Sequence, residues 1–246
     1  MSGGGTRSGR RSKGGASTST PAGVTYSQFM AMGEQERYDV MDRIIGDKNI
    51  KVPNYLDDSI TSKVMYALGL NGKPQVVSDA EFDKREGETF YRTVRDGSIT
   101  ASDIINQIKT SDYTQLSNSG GSFWGRALYF GNNFGLSAFY GAHDKNAMIM
   151  RVKINPNSKI MTSAELARMS INDNNYSKIS KKRNLSYEDS YALYALAKGI
   201  DGWREYDTGQ LMVLNRRSLI TSSKNKKVWN EKDNISYYAW DSAPDA

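Results

Sequence analysis

Cysteine is absent from the sequence, which excludes disulfides, thiol nucleophiles and cysteine-held metals together. Histidine occurs once, at His143, so neither a His-cluster metal site nor a mechanism needing two imidazoles is open to it. No apolar run approaches the length of a membrane span, and the N-terminal stretch lacks the hydrophobic core of a signal peptide. The chain therefore reads as soluble and intracellular, with no membrane partner. No G-x-G-x-x-G follows a candidate strand. The glycines of Ser117 to Ser122 (Ser-Asn-Ser-Gly-Gly-Ser) belong to a flexible loop that could lie over a ligand, not to a dinucleotide fingerprint. Acids are missing from the first twenty positions, which hold Arg7, Arg10, Arg11 and Lys13. That tail carries +4 of the formal +6 and leaves +2 for everything after it, so a basic tail is supported and a basic surface is not.

What is present suffices for a core. Apolar residues make up 38% of 246 positions, which suits one domain with an N-terminal extension. Residues 1–20 are Gly, Ser, Thr and basic side chains without apolar periodicity, and are expected to be disordered. They read either as a solvated tail or as a weak, salt-sensitive contact for nucleic acid or an acidic partner. Residues 21–74 form a helical region. Tyr26 to Ile45 carries Val40, Met41, Ile44 and Ile45 on one face, and Ser59 to Leu68 repeats Ile60, Val64 and Leu68 before Gly69.

After Pro74 the pattern turns mixed. Gln75 to Val77 and Thr89 to Val94 read as strands joined by a polar connector or short helix, and Ser98 to Ile108 as a capped helix with Ile104, Ile105 and Ile108 inward. Ala147 to Ile154 is the clearest strand, with Arg151 and Lys153 expected outward. Ala164 to Met169 suggests a helical turn or two, and the basic stretch Asn172 to Asn184 an exposed loop. Ser186 to Lys198 is a strongly signalled helix, with Ser186 and Asp189 at capping-box spacing and Gly199 as its stop. Leu211 to Leu214 reads as a buried strand. Residues 222–246 form a basic and aromatic tail whose Trp229, Tyr237, Tyr238 and Trp240 are expected to pack back on the domain rather than stack on bases.

The stretch from Gly125 to Tyr140 organises the rest. A short apolar strand, Ala127 to Phe130, breaks at Gly131-Asn132-Asn133, and a helix then carries Ala138, Phe139 and Tyr140. A strand, turn and helix with a tyrosine at each end can make a two-walled aromatic slot. The same residues also fit a buried strand with ordinary core tyrosines.

Gly125-x-x-x-Tyr129-Phe130, followed by Ser137-Ala138-x-Tyr140 with the tyrosines eleven positions apart, resembles the nicotinamide-binding element of ADP-ribosyltransferases of the poly(ADP-ribose) polymerase and diphtheria-toxin type. Phe90-Tyr91-Arg92-Thr93-Val94 resembles that family's first strand, and Gly209-Gln210-Leu211-Met212-Val213-Leu214-Asn215 its last catalytic strand. The resemblance covers residues 75–221, and a looser likeness extends to ADP-ribosyltransferase-like proteins of bacteriophage genomes. It implies an α+β fold, with a split antiparallel β-sheet core of two small sheets around a cleft, flanking helices and a helical N-terminal region. It implies NAD+ as substrate, no metal, and a macromolecular acceptor, protein before nucleic acid. By resemblance Tyr129 and Tyr140 line the nicotinamide, Gly125 and Ser137 shape the slot, Arg92 holds phosphate or ribose oxygens, and Gln210 stands where the family has its catalytic glutamate.

Cleaving the nicotinamide–ribose bond makes positive charge develop on the sugar, as in glycoside hydrolysis. A tyrosine face is worth about 0.5–2 kcal/mol to a flat cationic ring. A guanidinium offers paired donors to phosphate. Gln210 can bond a ribose hydroxyl but brings no charge. A missing carboxylate at about 4 Å and an effective dielectric near 20 forfeits about 4 kcal/mol, roughly a thousandfold in rate. Turnover is then slow, or Glu205 or Asp207 substitutes, or the chain binds without catalysis. His143 is either a base or simply exposed. Two function classes follow from the resemblance: a mono-ADP-ribosyltransferase, or a catalytically silent NAD-binding or phage structural or host-interaction module.

Overall fold

The computed structural model describes residues 20–53, 59–69, 72–111, 126–230, 235–236 and 239–246. Three helices open it: α1 (Tyr26–Ala31), α2 (Glu34–Gly46) and α3 (Ile60–Ala67). The mixed part follows as β1 (Gln75–Val77), α4 (Asp79–Lys84), β2 (Phe90–Val94), α5 (Ala101–Thr110), β3 (Leu128–Gly131) and α6 (Phe134–Phe139). Next come β4 (Met148–Ile154), β5 (Ile160–Thr162), α7 (Ser163–Ile171), α8 (Asn174–Arg183) and α9 (Tyr187–Ala197). The chain ends with β6 (Gly202–Glu205), β7 (Gln210–Val213), β8 (Leu219–Ser222), β9 (Lys226–Lys227) and a small hairpin of β10 (Trp229–Asn230) and β11 (Ile235–Ser236).

Helix starts follow side-chain chemistry. Thr25, Ser59, Ser78, Thr100, Asn133, Thr162 and Ser186 each accept a hydrogen bond from the backbone N–H three residues on, satisfying a donor that the first turn would leave orphaned. The expected single helix from Tyr26 to Ile45 is broken at Met32-Gly33, both extended. Arg37 explains the break: its guanidinium donates to Met32 O at 2.6 Å and to Ala197 O at 2.6 Å, tying the carbonyl end of α1 to that of α9. The stretch expected to be a loop at 172–184 is the helix α8. Asp173 caps it, the left-handed Asn184 ends it, and the Tyr176 ring meets Tyr194 edge-on at 5.2 Å. Its apolar content is too low to betray that packing.

The nine-stranded sheet runs β1-β8-β4-β2-β3-β7-β6-β5, with β9 added to β4. It is mixed, which corrects the expected antiparallel core: β1 pairs with β8 and β5 with β6 in parallel. It is also one sheet, not two. Its two halves are joined by the single pair Tyr91–Gly131, whereas β2 pairs with β4 over its full length. One hydrophobic cluster unites Phe29 and Met41 of the N-terminal helices with Ile105, Tyr191, Trp203 and Leu211. α9 lies at its heart, buried from Asp189 to Ala197. Each large apolar side chain so buried contributes about 1.5–3 kcal/mol.

Arg151 and Lys153, expected outward, are only 6% exposed. α4 covers them: Arg151 pairs with Asp79 and Asp83, each at 2.6 Å, and its guanidinium lies between the rings of Phe82 and Trp240, at 4.5 and 4.4 Å. Lys153 donates to the carbonyls of Phe82 and Arg85. Residue 221, where the expected domain ends, lies inside β8. The segment beyond it folds back, with Trp240 and Ala243 joining Phe134, Ala138, Ile149 and Val228 in a second cluster. Tyr237 and Tyr238 lie outside the described residues.

Candidate functional site

Alternation along β3 drives Leu128 and Phe130 into the core and leaves Tyr129 and Gly131 on the other face. The turn after Gly131 is pinned at both ends. Asn133 accepts the Leu136 N–H at 3.0 Å and starts α6, while the Asn132 N–H donates to Gly209 O at 2.9 Å. Gly209 has φ +64°, and a Cβ there would lie 2.0 Å from the Asn132 side chain, so this position needs glycine twice over. The pinned turns set the register of β3 on β7, which places Gln210 directly opposite Gly131 and Met212 opposite Tyr129. One row of paired residues thus crosses four strands: Tyr91, Gly131, Gln210, Glu205.

α6 doubles back over β2. Phe134 and Ala138 pack with Tyr91, and the Ser137 hydroxyl sits over Gly131, where a Cβ would come within 2.8 Å of Oγ. Ser137 Oγ is 3.5 Å from Tyr91 O. Tyr140, at the C-cap of α6, is 71% exposed, and Leu136 and Phe139 are exposed beside it. Tyr129 is half-buried. Burial, with Glu188 and Tyr187 nearby, pushes its phenol well above the ordinary tyrosine range.

Arg92 leaves β2 on the face opposite Tyr91, and its guanidinium turns to where β2 and β3 cease to pair. Nη1 donates to Tyr129 O at 2.9 Å. The residue as a whole is half-buried, but Nε is shut off from solvent without a hydrogen-bond partner. Burial alone pushes the guanidinium down to about 10, so it remains cationic at neutral pH. No carboxylate among the described residues pairs with it.

Of the residues expected at the site, Tyr129, Ser137 and Gln210 gather on the face of Gly131, whereas Arg92 leaves β2 on the other face and reaches only the Tyr129 carbonyl. Tyr140, at the C-cap of α6, is exposed to solvent. Gly125 lies outside the described residues, as does the Ser117 to Ser122 loop. His143 is exposed, has φ +67° and rests on Trp229 with ring centroids 4.5 Å apart. Asp207 sits exposed in the turn between β6 and β7, whereas Glu205 faces Gln210 across the ladder. Sequence proximity alone did not separate those two acids. It also gave no sign of Glu188 beside Tyr129, nor of Asp189. Asp189 accepts from Thr61 N at 2.9 Å and pairs with Arg126 at 3.1 Å, anchoring the residues that lead into β3.

Among the described residues no cluster of His, Asp and Glu is arranged to hold a metal ion, and no helix is long and apolar enough to cross a membrane. A cavity of about 590 Å³ lies elsewhere, between α2 and α8, and touches none of the site residues. It is lined by side chains of the two helices, among them Gln35, Tyr38, Asp39, Asn175 and Lys178. Comparison of the chain with protein-family models, curated proteins and solved structures finds no match.

Proposed function

We propose that the protein is a mono-ADP-ribosyltransferase that takes NAD+, releases nicotinamide and passes ADP-ribose to a macromolecular acceptor, protein before nucleic acid, in a cytoplasm. The observation that carries this reading is the meeting of segments far apart in the chain at the end of β3, Ser137 and Gln210 on the face of Gly131 and Arg92 from the other face. Arg92 meets the Tyr129 carbonyl, Ser137 covers Gly131, and Gln210 opposes it.

Each part has work in such a reaction. Among the described residues Arg92 has no acidic partner and its Nε–H is unsatisfied, which suits a phosphate or ribose oxygen whose charge would offset the cost of burying it. Tyr129 supplies the inner aromatic face for a pyridinium ring and Tyr140 the outer one. The absence of a side chain at Gly131 lets the Ser137 hydroxyl close over the backbone, which seats α6 on the end of β3. Gln210 bonds a ribose hydroxyl and fixes the sugar. Positioning of this kind lowers the barrier by holding the reacting centre in one geometry.

Incubation with NAD+ labelled in the adenylate part, with and without cell extract, tests the proposal. Label on a macromolecule and free nicotinamide are expected. Neither product from the native chain, and neither from Gln210→Glu, would sink it. Gln210 favours a second reading, a silent NAD-binding or phage structural or host-interaction module, because an amide cannot stabilise a cation as a carboxylate does. Calorimetry separates the two: heat of NAD+ binding without nicotinamide release selects the module.

A further inference from the structure

We infer that Glu205 supplies the negative charge that Gln210 cannot, and that the catalytic carboxylate of this site sits one strand over, on β6. This rests on the transferase reading above. The register pairs Glu205 with Gln210, and residues directly opposite on antiparallel strands point to the same face with Cβ atoms about 5 Å apart. That face also carries Tyr129 and Gly131. Among acids close in sequence, Asp207 is exposed in the turn.

Glu205 is held in place. Ser163, the first residue of α7 and 1% exposed, donates from Oγ to Glu205 Oε2 at 2.6 Å. The same Oγ is 2.9 Å from Arg204 O, and the Ser163 carbonyl accepts the Tyr191 hydroxyl at 2.9 Å, so the serine is fixed from three sides. The Asp207 N–H donates to Oε1 at 3.3 Å. These donors orient the carboxylate without neutralising it. No lysine or arginine among the described residues pairs with Glu205, because the adjacent Arg204 turns to Glu88 at 2.6 Å and stacks on Tyr206 at 4.4 Å. A preoriented anion lacking a cation complements a sugar that becomes cationic.

In the step assigned to Glu205, the bond from the ribose anomeric carbon to the pyridinium nitrogen breaks and its electron pair leaves with neutral nicotinamide. The carboxylate stabilises the sugar cation. A bond then forms to the acceptor heteroatom, whose proton passes to solvent. Ser163 is a positioning residue, acting through Glu205.

The test measures nicotinamide release and NAD+ affinity on the full chain. Glu205→Gln should slow release by on the order of a hundred- to a thousandfold while the Kd moves less than about threefold, because the charge acts in the transition state. Ser163→Ala should lower kcat and leave KM, and Asp207→Asn should match the native protein. The exchange Glu205→Gln with Gln210→Glu returns a carboxylate to the opposite position and should recover at least about tenfold of the loss. Release by Glu205→Gln within threefold of native would overturn the inference. So would NAD+ binding lost in Glu205→Gln and not recovered by the exchange, which would make the residue a structural one. A native chain that does not bind NAD+ at all would remove the transferase reading itself.

Discussion

Arg92 donates to the carbonyl of Tyr129 where the ladder between β2 and β3 ends, so a side chain takes over from backbone pairing at the joint between the two halves of the sheet. A charge-assisted bond of this type contributes about 1.5–3 kcal/mol. Burying an arginine without an acid costs an amount of the same order. The two nearly cancel, so Arg92→Met should change the unfolding free energy by less than about 1 kcal/mol. NAD+ affinity should fall at least about tenfold, the loss of one charge-assisted contact. Denaturant unfolding and calorimetry on the same variant check this. A large loss of stability with unchanged affinity would make Arg92 a structural joint only.

Gly131→Ala should push Ser137 away, since the new methyl would lie 2.8 Å from its Oγ. The expected cost is about 1–3 kcal/mol, as for overpacking. Ser137→Ala removes the obstructing oxygen, so the double variant should regain most of that loss. A double-mutant cycle by chemical denaturation reads the coupling, and additive losses would show that the two do not meet.

Trp240→Ala should cost about 3–5 kcal/mol, the range for deleting a buried large aromatic. Trp240 packs on Arg151 and Phe134 and holds the chain end against α6. Nicotinamide release should fall with it, because α6 carries Ser137 and Tyr140. A melting temperature unmoved by the change would show that the C-terminal segment is not part of the fold.

Asp79 connects stability to acid. Burial works against its charge, but the Ser222 hydroxyl and the Arg151 guanidinium prevail and hold its carboxyl below the ordinary range. A folded-state pKa below the unfolded value of about 3.9 gives stability that is complete above that pH and lost as pH falls through the folded value. Native melting temperature should therefore drop more steeply below about pH 4 than that of Asp79→Asn, which starts lower at neutral pH. Parallel slopes in a pH series would remove Asp79 from acid unfolding.

Local chemistry determined much of this protein from the sequence alone. The cap at Ser186 and the apolar spacing at Val64 and Ile105 marked helices, because a cap and a stripe are satisfied within one element, although the helix expected from Ser98 begins after Thr100. The aromatic stretch around Tyr129 was legible for the same reason. The break at Met32-Gly33 was not, since Arg37 makes it by reaching carbonyls on two other helices. Nor was the burial of Arg151, whose acids and rings arrive from α4 and from the end of the chain. Most of all, only the tertiary structure put Glu205 across from Gln210. Register depends on which turns are pinned to each other, here Asn132 on Gly209, and a contact between two turns nearly eighty residues apart leaves no periodic trace in the sequence.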